Sequence, residues 1–180
     1  MKRATLHLIS GPMFAGKTDQ LIRKHQNLLD INIDKETIKV FKPSKDTRDI
    51  NIKSRVGLEL TCQPIENSRQ ILDLIENNTK YVFIDEFQFL DEELRIVVEE
   101  LLAKEINVIV AGLDKLFNRK EFERYSELKE ISNFKTFATA VCHGCGKTAF
   151  YSKRESNSES EIVIEGEATY TAACLDCHKE

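Results

Sequence analysis

The chain alternates between short apolar runs and stretches in which apolar residues recur every three or four positions. Runs of the first kind predict five strands, at 4–9, 38–42, 81–85, 106–111 and 134–141. Stretches of the second kind predict three helices, at 17–29, 68–76 and 91–104. Apolar strands that alternate with helices are typical of a parallel sheet with helices on both faces. We therefore predict an α/β fold whose ligands bind at the carboxyl ends of the strands.

Two segments depart from this alternation. Residues 43–66 contain Pro43, Pro64 and many polar residues, and we expect a long, mobile connection there, of the kind that often serves as a functional lid. From about residue 141 onwards, paired cysteines and glycines replace the alternating pattern. We therefore predict a main α/β domain at 1–140 and a small second domain at 141–180.

A glycine-rich segment, GPMFAGKT at 11–18, joins the first predicted strand to the first predicted helix and matches G-x-x-x-x-G-K-[ST]. The glycines let such a loop curl so that its N–H groups converge on phosphate oxygens, and the helix N-terminus adds partial positive charge. Lys17 can reach the β- and γ-phosphates, and the Thr18 hydroxyl can bind Mg²⁺. The segment predicts a nucleoside triphosphate site that comprises Gly11, Pro12, Met13, Phe14, Ala15, Gly16, Lys17 and Thr18.

Two acids end the predicted strand at 81–85. In phosphate-loop proteins a strand-end Asp holds the Mg²⁺ shell, and Asp85 suits that role. Glu86 would lie beside the metal, where a carboxylate can accept a proton from the group that attacks the γ-phosphate. Attack by water would make the protein an ATPase and attack by a substrate hydroxyl a kinase, and the two acids leave both open. A structural alternative is that they cap the next helix.

The segment Lys45-Asp46-Thr47-Arg48 closely follows the second predicted strand. An Arg at the end of a neighbouring strand can stabilise charge on a transferring phosphoryl group. The spacing also fits a solvated turn, and it leaves the choice open.

The composition narrows the class of protein. Of the 180 residues, 41% are hydrophobic and 31% are charged, and the net charge of −4 provides no global basic field for nucleic acid or anionic lipid. We find no apolar run of bilayer length and no signal-peptide core, so we expect a cytoplasmic protein without membrane or nucleic-acid partners. Five cysteines in such a protein indicate metal or thiol chemistry rather than disulfides.

Four of these cysteines form a C-x-x-C … C-x-x-C array made of Cys142, Cys145, Cys174 and Cys177. Each pair can occupy a tight knuckle and supply two thiolates to a tetrahedral Zn²⁺. Four protein ligands leave no position for a catalytic water, so the zinc would be structural. The intervening segment can form a hairpin, with strands at 148–152 and 162–164. A redox pair or a coincidence of spacing remains an alternative, and His143 and His178 beside the knuckles are expected to be bystanders or neighbours of the ligands.

Together these residues resemble the type II (cytosolic, zinc-containing) thymidine kinases over essentially the whole chain. The resemblance rests on GPMFAGKT at 11–18, KDTR at 45–48, IDEFQF at 84–89, GLD at 112–114 with Phe117 and Phe122, TAVCHGC at 139–145, AFYSKR at 149–154, Tyr170 and CLDC at 174–177. It implies a RecA-like P-loop core, a zinc-ribbon module with a lasso over the nucleoside, and a homotetramer. It also implies transfer of the γ-phosphoryl of ATP, with Mg²⁺, to the 5′-hydroxyl of thymidine or deoxyuridine, in nucleotide salvage for DNA synthesis.

The resemblance also implies roles for individual residues. Glu86 would be the catalytic base, and the nucleotide site would extend to Asp46, Arg48, Asp85, Phe87 and Gln88. Phe89, Phe117 and Phe122 would pack around the base or the deoxyribose. Near the thymine methyl group the resemblance places Met13, Leu113, Ser152 and Tyr170. Val163 would belong to the lasso, whose backbone groups around 161–166 would hydrogen-bond the base.

Several positions depart from the family pattern. Phe87 stands where the family usually has a small residue, and Glu165 stands at a frequent Gly. They suggest a nucleoside-binding relative with altered or lost activity. A second hypothesis, based on the RecA-like core and the cysteine module, is a zinc-ribbon ATPase acting on nucleic acid. Production of a nucleoside monophosphate would distinguish the kinase from both.

Overall fold

The computed structural model describes residues 3–46, 51–155 and 170–179. In chain order the elements are β1 (Leu6–Gly11), α1 (Lys17–Asp30), β2 (Ile38–Pro43), β3 (Ile52–Lys53), β4 (Glu59–Leu60), β5 (Gln63–Ile65), α2 (Gln70–Leu74), β6 (Tyr81–Ile84), α3 (Leu94–Ala103), β7 (Asn107–Leu113), α4 (Glu123–Ile131), β8 (Phe134–Phe137), β9 (Ala140–Val141), β10 (Thr148–Ala149), β11 (Tyr151–Arg154), β12 (Tyr170–Ala173) and α5 (Leu175–Lys179). Short 3-10 helices occupy Lys35–Thr37 and Phe87–Phe89.

Six strands form the central sheet, in the order β5-β2-β6-β7-β1-β8, and every neighbouring pair is parallel. The predicted α/β fold with a parallel sheet is therefore confirmed. The loops that follow β1, β2, β6 and β7 all leave the same edge of the sheet, because the strands run in one direction. This edge brings the glycine-rich segment and the two acids together.

Helices cover both faces of the sheet because successive side chains of each strand point to opposite sides. In β7, Val108 and Val110 pack with α2, α3 and α4, whereas Ile109 and Ala111 pack with α1 and the β3–β4 hairpin. The strands are therefore apolar on both faces, which explains why their sequences read as continuous apolar runs.

The segment 43–66 is more ordered than the predicted mobile connection. It contains the β3–β4 hairpin and β5, which pairs in parallel with β2 at the border of the sheet. Pro64 lies within β5, where it is opposite Lys42. A proline lacks the N–H that a central strand would need, and an edge strand tolerates it. In the sequence, Pro64 indicated a loop rather than a strand. The edge position of β5 explains how a strand can contain this proline.

Helix α4 is a second element that the periodicity analysis missed. Its apolar side is short, with Tyr125 and Leu128 buried and Ile131 partly buried against the core. The predicted strand at 134–141 is in fact two elements. β8 joins the main sheet and β9 pairs with β10, because the chain changes sheets at Ala138.

The C-terminal part consists of β9 to β12 and α5, and it packs against the phosphate loop. Ala15 of the loop shares a small apolar cluster with Ala138, Ala140, Cys142 and Ala149. β11 pairs antiparallel with β12. The predicted hairpin strand at 162–164 lies outside the described residues. The domain division at 140/141 stays a prediction. Among the described residues, no helix combines the length and apolarity needed to cross a membrane.

Candidate active site

The phosphate loop is shaped by two glycines and by the neighbouring module. Gly16 has a φ of 71°, a left-handed conformation that glycine adopts without steric cost, and α1 begins at the next residue. Gly11 has a φ of 145°, and a Cβ there would come within 2.1 Å of the Ala138 carbonyl oxygen. The Lys17 ammonium is buried and donates a hydrogen bond of 2.7 Å to the Pro12 carbonyl, so it lies across the concave side of the loop. This cradle fits a phosphate group.

Asp85 and Thr18 meet across the end of β7. The Thr18 hydroxyl donates to Asp85 Oδ2 at 3.0 Å, and the Glu86 N–H donates to Asp85 Oδ1 at 3.1 Å. Burial, followed by the charge of Glu86, raises the pKa of the Asp85 carboxyl to about 7, although the hydrogen bond from Thr18 opposes the shift. A buried carboxylate beside a hydroxyl is an oxygen donor set that suits Mg²⁺, and a cation would offset the cost of burying the charge.

Gln88 fixes the Glu86 side chain. Its Nε2 donates to Glu86 Oε2 at 2.5 Å, while its Oε1 accepts the N–H of Leu113 at 3.0 Å. Gly112 makes room for this arrangement, because a Cβ there would lie 2.4 Å from Gln88 Oε1. Glu86 itself has a φ of 52°, a left-handed conformation that is uncommon for a residue with a side chain and recurs at functional sites.

The ring of Phe87 is fully buried in the hydrophobic core, and a Cβ at Gly112 would lie 2.7 Å from it. The bulky residue at this position therefore points away from the loop and does not crowd the site. Phe122 is also buried in the core, whereas Phe89 is half-buried at the end of its 3-10 helix.

A buried ion pair joins the end of β2 to the segment that follows it. Lys42 and Asp46 are both buried, and Lys42 Nζ lies 3.5 Å from Asp46 Oδ2. The Asp46 N–H also donates to the Pro43 carbonyl, which turns the chain directly after the strand. Arg48 lies outside the described residues, as does Val163.

The four predicted metal ligands converge. The sulfur atoms of Cys142, Cys145, Cys174 and Cys177 all lie within 4.8 Å of one another, and those of Cys145 and Cys174 are 3.6 Å apart. Tetrahedral zinc with Zn–S bonds of about 2.3 Å places its sulfurs roughly 3.8 Å apart, so the donor set fits zinc. No disulfide involves any of the five cysteines.

The electrostatics of the cluster also suit a cation. A backbone hydrogen bond from Cys174 is the main cause that lowers the pKa of Cys142 to about 6. Contacts with the other thiols, that with Cys145 first, raise the pKa of Cys177 to about 12. Several thiolates this close together repel one another, and a bound divalent cation removes that conflict.

The nucleoside-side residues are linked by contacts between the main sheet and the C-terminal module. The Met13 N–H donates to Ser152 Oγ at 3.0 Å, which ties the phosphate loop to β11. The Arg154 guanidinium lies 3.8 Å from the centre of the Phe117 ring and donates to the Tyr170 hydroxyl at 3.3 Å. Sequence reasoning assigned no role to Arg154, Gly112 or Lys42. The contacts of Arg154 and Gly112 join residues far apart in the chain. Lys42 pairs with the nearby Asp46, but the burial of this pair depends on the folded sheet.

The fold and this site define a phosphate-loop nucleotide-binding protein with a cluster of four cysteines that could hold a metal ion. The sequence profile described as thymidine kinase matches residues 4–178. This chain belongs to the thymidine kinase family. Thymidine kinase of Porphyromonas gingivalis is 32% identical over 100% of this chain and 87% of its own length. That of Ureaplasma urealyticum is 38% identical over 97% and 82% respectively, and that of Pseudothermotoga lettingae is 36% identical over 97% and 95%.

Among solved structures, the flagellar accessory protein FlaH from Methanocaldococcus jannaschii has a similar fold. It superposes with a TM-score of 0.54 over 97% of this chain and 92% of its own, at 12% sequence identity. This likeness concerns the fold alone. The family match over nearly the whole chain favours the kinase hypothesis over the zinc-ribbon ATPase.

We expect the substitution Asp85→Asn to stabilise the protein in Mg²⁺-free buffer at high pH. Because the folded-state pKa of Asp85 is raised above its ordinary 3.8 to about 7, the free energy of unfolding falls as the pH rises from about 4 to about 7. At about 1.4 kcal/mol per pKa unit, the variant should gain roughly 1–4 kcal/mol at pH 8 and less at pH 5.5. Urea unfolding at both pH values measures this. The exposed Asp73→Asn serves as the control, and equal stability of parent and Asp85→Asn at pH 8 would contradict the assignment.

Zinc content provides a second test. The parent and the Cys62→Ser variant should each carry one zinc ion per chain, because Cys62 lies outside the four-cysteine cluster. Cys174→Ser should lose zinc and unfold at a lower temperature, since metal binding contributes to folding. Elemental analysis and thermal unfolding measure both properties. A Cys174→Ser variant that retains parental zinc would show that the metal is bound elsewhere.

Proposed function

We propose that this protein is a thymidine kinase that acts in nucleotide salvage. It would transfer the γ-phosphoryl group of ATP to the 5′-hydroxyl of thymidine, with deoxyuridine as a second substrate. Membership of the thymidine kinase family over residues 4–178 carries the proposal. Placement of Glu86 beside Asp85, Thr18 and the phosphate loop supports it chemically.

The proposed nucleotide site is the loop at 11–18 with the acids after β6. Lys17 would neutralise the β- and γ-phosphates, and loop N–H groups would bind their oxygens. Thr18 and Asp85 would hold Mg²⁺, which supplies charge neutralisation between the phosphates. Asp46 and Arg48 would lie at the same end of the sheet, beside the transferring group. This arrangement binds and orients the donor.

Glu86 would act as the base that removes the proton from the thymidine 5′-hydroxyl. Gln88 would support it by donating a hydrogen bond to one oxygen of its carboxylate. Phosphoryl transfer requires little further covalent chemistry from the protein, because positioning and charge stabilisation lower most of the barrier.

The nucleoside would lie between the phosphate loop and the C-terminal module. Met13, Leu113, Ser152 and Tyr170 would surround the thymine ring, with Phe89, Phe117 and Phe122 around the rest of the nucleoside and Val163 in the lasso. The contact between Met13 and Ser152 supports this placement, because it joins both sides of the proposed pocket. Zinc bound by the four cysteines would order the start and the end of the lasso.

We also propose that the protein is a cytoplasmic homotetramer. None of the five cysteines forms a disulfide, which suits a reducing compartment. Large apolar side chains are exposed around the edge strand β8, with Phe134 at 55%, Phe137 at 43% and Phe150 at 43%. An exposed apolar face of this kind supports contact with another copy of the chain.

The direct test is an assay of the purified protein with Mg-ATP and a panel of nucleosides, in which the nucleoside monophosphate is measured. We expect thymidine 5′-phosphate as the main product. A different nucleoside monophosphate as the main product would show that the protein is a kinase of another nucleoside. ADP release stimulated by DNA or RNA, without any nucleoside product, would contradict the proposal.

The substitution Glu86→Gln tests the base. We expect kcat to fall by about 10²–10⁴-fold while ATP binding persists, because the amide keeps the shape of the side chain but accepts no proton. Steady-state kinetics and ATP titration measure the two effects. Glu92→Gln, which makes the same change at an exposed residue shortly before α3, is the matched control. Turnover of Glu86→Gln near that of the parent would remove Glu86 from the mechanism.

A further inference from the structure

The last helix, α5, contacts the loop between β7 and α4 through one side chain. His178 follows the metal-ligand candidate Cys177, and its Nε2 lies 2.8 Å from the carbonyl oxygen of Phe117. A carbonyl oxygen only accepts hydrogen bonds, so the His178 Nε2 carries the hydrogen and donates. The contact spans 61 positions of the chain.

The imidazole of His178 is held from the side of the metal cluster. The ring packs against Tyr151 with a centroid distance of 5.5 Å, and the backbone N–H of His178 donates to the Cys174 carbonyl at 3.0 Å. The neighbouring Cys177 carbonyl accepts a hydrogen bond from Lys153 Nζ at 2.9 Å. The position of the His178 donor therefore follows from the geometry of the second cysteine knuckle.

Backbone hydrogen bonds hold together the two ends of the loop that carries Phe117, whereas residues 118–120 of this loop are exposed. The Phe122 N–H donates to the Asp114 carbonyl at 2.9 Å, and Leu116 pairs with Lys120 at 2.8 Å. Phe117 lies at the turn and is only half-buried. Its carbonyl is bound by His178 and its ring lies 3.8 Å from the Arg154 guanidinium, so both its backbone and its side chain are held by the C-terminal module.

We propose that His178 is a positioning residue for nucleoside binding, which fixes the Phe117 wall of the pocket by donating a hydrogen bond to the Phe117 carbonyl. This inference rests on the proposed function, because Phe117 has a ligand to contact only if the pocket binds a nucleoside. Through this contact the metal module would affect nucleoside binding a second time, in addition to its effect on the lasso. The ATP side of the site lies on other elements and is independent of this contact.

Two substitutions separate the hydrogen bond from the packing of the ring. His178→Phe keeps an aromatic ring against Tyr151 but removes the donor. His178→Gln removes the ring but can place an N–H donor near the position of Nε2. The exposed His143 on the first knuckle provides the matched control, as His143→Phe. Each variant is characterised by thymidine KM, ATP KM, kcat and zinc content.

We expect His178→Phe to raise the thymidine KM about threefold to tenfold, the effect of losing one hydrogen bond between uncharged groups. Its ATP KM and zinc content should equal those of the parent. His178→Gln should restore a thymidine KM within about twofold of the parent, and His143→Phe should change nothing.

An unchanged thymidine KM in His178→Phe would overturn the inference. Equal impairment of His178→Phe and His178→Gln, or a loss of zinc that accompanies the rise in KM, would show that His178 serves the metal site alone and would also overturn it. A parent protein that forms no nucleoside monophosphate would instead contradict the proposed function, and this inference would fall with it.

Discussion

The hydrogen bond between Thr18 and Asp85 is the contact on which the site depends, because it joins two strands that are not neighbours. Thr18 lies in the first turn of α1, which follows β1, whereas Asp85 follows β6, and β7 lies between these two strands. Gly112, near the end of β7, leaves room for the neighbours of this contact, since a Cβ there would collide with the side chains of Gln88 and Phe87. The same absence of a side chain lets Gln88 bind Glu86 and the β7 backbone together.

The second constraint is the close attachment of the C-terminal module to the phosphate loop. Gly11 approaches the Ala138 backbone, Ala15 packs in the apolar cluster of the module, and the Met13 N–H binds Ser152. The loop that would hold phosphate thus forms part of the surface that would hold the nucleoside. Zinc at the four cysteines would stabilise the knuckles behind this surface, so a metal with no part in the chemistry would still affect substrate binding.

Features encoded by local patterns could be predicted from the sequence. The apolar runs predict the parallel sheet, and the glycine-rich segment and the cysteine pairs identify the loop and the metal cluster. β5 escaped prediction because Pro64 argues against a strand unless it lies at an edge, which depends on the whole sheet. The contacts of Gln88, Arg154 and His178 escaped because they join distant segments, and no periodicity records such pairing. The structure also answers one question raised by the sequence, since the ring of Phe87 packs into the core.

The central claim is that the loop at 11–18, the acids after β6 and the C-terminal module form one site for ATP and thymidine. A crystal structure of the protein with Mg²⁺, thymidine and a non-hydrolysable ATP analogue tests this claim most directly. The account predicts the γ-phosphate in the loop beside Lys17, Mg²⁺ at the Thr18 hydroxyl, and the thymidine 5′-hydroxyl within hydrogen-bonding distance of Glu86. Thymidine bound away from Glu86, or a nucleotide bound outside the loop, would contradict it.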